Sequence, residues 1–140
     1  MEPGKRLPEQ YLIKNRTPHV PNSPLPVLVY RSALPVDPEP HLVCAKIEPN
    51  DWQKGGIFKH YPAHHFHSVT HECYAVFKGS SRLLLGRGPL DTESENDVLV
   101  DLNVGDAIVL PAGVAHCSLE SSDDYEYVGL YPKVRSSAHH

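Results

Sequence analysis

From Ile57 onward the chain is a succession of short apolar or alternating segments, each closed by turn residues. Ile57–Pro62, Ala63–Ser68, Cys73–Lys78, Ser81–Gly86, Val98–Leu102, Ala107–Leu110, His116–Leu119 and Tyr125–Tyr131 read as strands. Strands this short, with turn signals between them, specify an antiparallel sandwich or barrel. The 140 residues allow one core and not two. Fourteen prolines and nine glycines suit turns here, not disorder, because apolar residues are not depleted.

Upstream, residues 1–25 are polar and broken by prolines, with an apolar patch at Tyr11-Leu12-Ile13, and read as an irregular arm with one short strand. Such arms cover open sheet edges or cross to a partner subunit. Val27–Tyr30, within Leu25–Ser32, is a buried strand. One short helix follows, with Asp37 as N-cap, Pro38 in its first turn, Leu42, Val43 and Ile47 on its apolar face, and Pro49 ending it. Residues 50–56 read as a turn whose Trp52 plugs one end of the barrel, and Gly88–Asn96 as an acidic surface loop. The single domain covers 26–135. Residues 136–140 read as a disordered, added tail, so His139 and His140 are not candidate ligands.

The chemistry concentrates in two segments. His65 and His67 are two apart, so they share a side if that segment is extended. A tight link at 68–71 folds the run from Glu72 back beside the first, so that Glu72, Tyr74 and Val76 face the same interior. Two neutral imidazoles and a carboxylate at one point are ligands for a divalent transition metal. Gly105-Asp106 and Pro111-Ala112-Gly113 are turns around the strand Ala107–Leu110, and the second delivers His116 at the head of another strand. Cys73 and Cys117 each follow one of these residues, so alternation turns them away, as small core residues.

His65-x-His67-x4-Glu72-x6-Gly79 and Gly105-x5-Pro111-x-Gly113-x2-His116 resemble the two motifs of the cupins. That resemblance implies an antiparallel jelly-roll β-barrel and a metal held by His65, His67, Glu72 and His116. The chain departs from the pattern at Lys59, where cupins have glycine, and at Glu120, where they have asparagine. The segment Pro21–Val27, Trp52, His64–Ser68, His71-Glu72, Ser122–Asp124 and Val128–Pro132 narrow the likeness to the YjlB-like cupins of bacteria and fungi.

Three imidazoles and one carboxylate leave open positions on Mn, Fe, Ni, Co or Zn, where a substrate, water or dioxygen can bind. Lys59, Tyr61 and Tyr74 share the parity of the ligands and, with Glu72, are the candidate catalytic groups. Tyr61, Tyr74, Val76, Val109 and Trp52 give a mostly apolar pocket, suited to a small organic molecule more than to a sugar phosphate. The reading is a metal-dependent enzyme on an aromatic or enol-type molecule, as a dioxygenase or a redox-neutral isomerase, cyclase or lyase. The alternatives are a non-catalytic small-molecule or metal-binding module, and a structural cupin with a vestigial site. His71 reads as a hydrogen-bonding neighbour of the ligands, His64 as a packing or interface residue, and His19, His41 and His60 as outward or surface residues. Of Tyr125, Tyr127 and Tyr131, one face is core.

A net charge of −4 with scattered cations excludes nucleic acid and anionic membrane as main partners. No apolar run reaches membrane-spanning length. The start lacks a secretory pattern, and the odd number of cysteines fits a reducing, cytoplasmic setting. The family likeness implies a homodimer.

Overall fold

The strand β4 (Glu72–Lys78) is buried along both faces except at its last residue, because the sheet around it is covered on both sides. The computed structural model describes residues 7–13, 17, 20–34, 39–63, 65–67, 69–88, 91 and 97–133. Among them the other strands are β1 (Glu9–Tyr11), β2 (Val27–Tyr30), β3 (Trp52–Phe58), β5 (Ser80–Leu85), β6 (Val98–Asn103), β7 (Ala107–Leu110), β8 (His116–Ser121) and β9 (Glu126–Pro132), with one helix, α1 (Pro40–Ile47). They form two antiparallel sheets, ordered β1-β2-β7-β4-β9-β3 and β6-β5-β8. Packed face to face, they make a jelly roll.

Alternation along the strands sorts the core into two layers. Tyr74 and Val76 of β4 point inward with Val27 and Val29 of β2, Ile108 and Leu110 of β7 and Tyr127 of β9, against Leu83, Leu85, Val100 and Leu102 of the small sheet. Cys73, Ala75 and Phe77 point outward, where Val43, Cys44 and Ile47 of α1 cover them. The inward reading of Val109 is corrected by the register: Val109 lies opposite Cys73, and directly paired residues share a face. Trp52 also belongs to the outer layer, packed near α1, and does not plug the barrel.

The helix begins at Pro40, with Glu39 extended at φ −77° and ψ 118°. A residue before proline avoids the helical region, and a proline fits the first helical position. The expected cap at Asp37 and Pro38 lies outside the described residues. After α1 a 3-10 turn at Glu48–Asn50 and Asp51 at φ 68° complete the reversal, so the expected turn over 50–56 is mostly strand β3. Gly55 is needed there for closeness, since a Cβ would lie 2.2 Å from Tyr131 Cε2. A bulge between Lys54 and Gly56 accommodates the approach.

The N-terminal segment adds β1 to the edge of β2, and Ile13, Val20, Asn22 and Ser23 are buried. Arg31 ties this edge together, bonding Glu9 and Asp106, while Asp106 also accepts the backbone N–H groups of Ser32 and Asn103. Among the described residues no helix is long and apolar enough to cross a membrane.

The expected strands Ile57–Pro62 and Ala63–Ser68 are replaced by β3 and an irregular run. That run borders β8: Ser118 N–H donates to Tyr61 O at 2.7 Å, and His65 and His116 exchange backbone bonds of 3.1 and 2.9 Å. Two extra residues between Tyr61 and His65, with Pro62 lacking an N–H, break the ladder. The run does not fold back beside β4 as a hairpin, because β7 and β9 already occupy both edges of β4. It crosses instead to the smaller sheet.

Candidate metal centre

This crossing sets His65 and His116 on the smaller sheet opposite Glu72 on the larger one, so the three meet across the interior. Their ligand atoms lie within 4.8 Å of one another. His116 Nε2 is 3.3 Å from Glu72 Oε1, and His67 Nε2 is 3.3 Å from Glu72 Oε2. His67 stands further out, 39% exposed, with its ring 5.8 Å from that of His65. The carboxylate is the hub.

Backbone carbonyls fix the rings. His65 Nδ1 is 2.9 Å from Ala63 O, and His116 Nδ1 is 3.0 Å from Val114 O. A carbonyl only accepts, so both protons sit on Nδ1 and both Nε2 lone pairs are left for ligation. The turn before His116 is tied at three points. Gly113 N–H donates to His67 O, Ala112 N–H to His71 Nδ1 and Ala115 N–H to Asn22 Oδ1. Gly113 has φ 94°, and a Cβ there would lie 2.6 Å from Asn22 O.

Burial is the largest influence on Glu72 and would raise its pKa. The neighbouring imidazoles, His116 first, outweigh it, and the carboxyl lies below its ordinary value. Burial and the neighbouring His116 lower the pKa of His65, which favours the neutral, ligating form. Two imidazole nitrogens and a carboxylate oxygen thus converge within 4.8 Å of one another, with Glu72 and His116 buried. The donor set therefore fits a divalent metal.

The other predicted residues divide. Tyr74 Oη is 2.8 Å from His116 Nε2, and Tyr61 sets its ring edge-on to His65 at 4.6 Å, at the exposed rim. Lys59 is not brought to this cluster; it lines a surface groove with His60, Leu119 and Asp123. His60 bonds Ser121 at 2.7 Å, and His41 is exposed near Glu39. His19 and His64 lie outside the described residues. Cys73 is buried behind the sheet, its thiol pushed up to about 12 by desolvation.

Sequence reasoning missed Tyr127 and Tyr131 as neighbours of the site. Tyr127 stacks on Tyr74 with ring centroids 4.4 Å apart, while Tyr131 lies 6.0 Å from the His67 ring and is raised by burial and by Glu72. Their alternation on one strand was the available signal.

A jelly roll that gathers His65, Glu72 and His116 inside it, from a His-x-His segment and the strand after a Pro-x-Gly turn, is a cupin. Within that class it is similar to a bacterial YjlB protein. The chain is 32% identical over 114 residues to the uncharacterized protein YjlB of Bacillus subtilis (strain 168), which covers 81% of this chain and 63% of that protein. It thus spans somewhat less than two thirds of that relative's length. No protein-family model matches. Among solved structures, a 7S globulin of Momordica charantia aligns with a TM-score of 0.43 and 19% identity, over 87% of this chain and 34% of the globulin. A vicilin of tomato, Solanum lycopersicum, aligns at 0.43 and 16%, over 91% and 33%.

Proposed function

We propose that the chain is a metal-dependent cupin enzyme that binds a small organic molecule, aromatic or of enol or diketone type. It acts as a dioxygenase or as a redox-neutral isomerase, cyclase or lyase. The observation that carries this reading is the convergence of His65, Glu72 and His116 within 4.8 Å around a buried carboxylate, with His67 on its second oxygen. These four residues would hold Mn, Fe, Ni, Co or Zn. The metal supplies Lewis acidity or, if redox-active, dioxygen activation.

The chain's own residues have distinct parts. His65 and His116 present unprotonated Nε2 atoms, and Glu72 stays anionic through its imidazole neighbours. Tyr61 and His67, both partly exposed, flank the way in and offer an aromatic edge and a ring N–H to a bound molecule. Tyr74 keeps its proton, because burial and Glu72 raise its pKa, and serves as a neutral donor. Lys59, in its separate groove, is left out.

The test joins metal analysis to a thermal-shift screen of catechols, flavonols and diketones, with oxygen consumption measured on each stabilising compound. Turnover of one of them supports the enzyme; metal binding with no stabilising compound favours a non-catalytic metal-binding module. The proposal includes a homodimer through β3, an end strand whose Ile57 and Phe58 are exposed; sedimentation at the monomer mass would oppose it. Three buried free thiols support a reducing, cytoplasmic setting.

A further inference from the structure

Tyr74 is two residues after Glu72 on β4, on the same inward face, and its hydroxyl lies 2.8 Å from His116 Nε2. His116 Nδ1 already donates to Val114 O, so in the neutral ring the lone pair on Nε2 can only accept, and Tyr74 is the donor. A bond to a metal would use that same lone pair. The two interactions exclude each other.

We infer that Tyr74 is the gate of the metal centre: its O–H holds the His116 lone pair in the metal-free protein, and loading requires that hydrogen bond to break. The inference rests on the metal-binding reading above. Two effects of Tyr74 oppose each other. By bonding Nε2 it helps hold the His116 ring in place, which would favour binding. But the ring is already held by Val114 O, by two backbone bonds to His65 and by burial to 2% exposure. Competition for the lone pair is therefore the larger effect. Tyr74 cannot simply swing aside, since it is 6% exposed and packed against Tyr127. Once released, its hydroxyl remains beside the ligands as a donor for whatever binds there.

The test titrates metal-free protein with Zn2+, a redox-inert probe, against a chromogenic chelator. Removing the competing hydrogen bond in Tyr74→Phe should tighten zinc binding roughly three- to tenfold. Tyr125→Phe, which alters a hydroxyl away from the ligands, should bind as the unchanged chain does. Zinc should also produce a stoichiometric tyrosine difference spectrum in the unchanged chain, a readout that does not depend on the variant folding. Equal or weaker binding by Tyr74→Phe, or no tyrosine signal on loading, overturns the gate while leaving the metal centre intact. If the unchanged chain binds no zinc, the metal reading falls and the gate with it.

Discussion

His71 Nδ1 accepts the backbone N–H of Ala112 at 2.9 Å, joining the link that precedes Glu72 to the turn that precedes His116. The two motifs, distant in sequence, are thus latched directly and not only through the sheets.

Loss of this latch should loosen the turn without unfolding the barrel. Only one of the three ties is cut in His71→Ala, and a hydrogen bond is worth about 1 kcal/mol net. Zinc affinity is expected to fall by about fivefold, with the thermal midpoint nearly unchanged. Unchanged affinity in the same chelator titration would show that the latch does not position His116.

Asp106 carries more of the stability than its place in a turn suggests. Buried to 4% exposure, it bonds Arg31 at 3.0 Å and accepts from Ser32 and Asn103 at 2.9 Å each. Asp106→Ala strips the partners from two backbone donors and leaves Arg31 with Glu9 and the backbone carbonyl of Asp101. Urea unfolding should show a loss of about 3 kcal/mol, and a loss below ~1 kcal/mol would mean that solvent replaces these bonds.

The metal-free protein should lose stability as it is acidified. His65 has a lowered pKa when folded, so the unfolded chain takes up its proton first, below about 6.5. Glu72 is also lowered, and its contribution, present above about 4.3, disappears as pH falls through the folded value. Both groups make the unfolded state the better proton acceptor, so the unfolding free energy rises from acid to neutral pH. Denaturant midpoints of chelator-treated protein between these limits check the sign, and a flat profile would contradict it.

The inward set Glu72, Tyr74 and Val76 and the outward Cys73 were legible from alternation alone, because β4 is a regular strand in a sheet packed on both sides. The turn Pro111-Ala112-Gly113 likewise announced that His116 would head a strand. Pairing was not legible. The same alternation that sets the facing of His65 fits either a hairpin with β4 or a seat beside β8, and the choice depends on β7 and β9 filling the edges of β4. Trp52 and Val109 were misplaced for a related reason: their faces follow from a helix packed on the outer layer and from the register with Cys73. Alternation puts Tyr127 and Tyr131 on one face of β9, but that this face borders the site follows only from the pairing of β9 with β4.

The central claim is that His65, His67, Glu72 and His116 hold one ion, and elemental analysis of the purified chain, after exposure to Mn, Fe, Ni, Co and Zn and removal of excess, tests it most directly. The account predicts near-stoichiometric metal in the unchanged chain and its loss in His116→Ala and Glu72→Gln, each folded by circular dichroism. A metal-free unchanged chain, or a His116→Ala variant that retains its full complement, would contradict it.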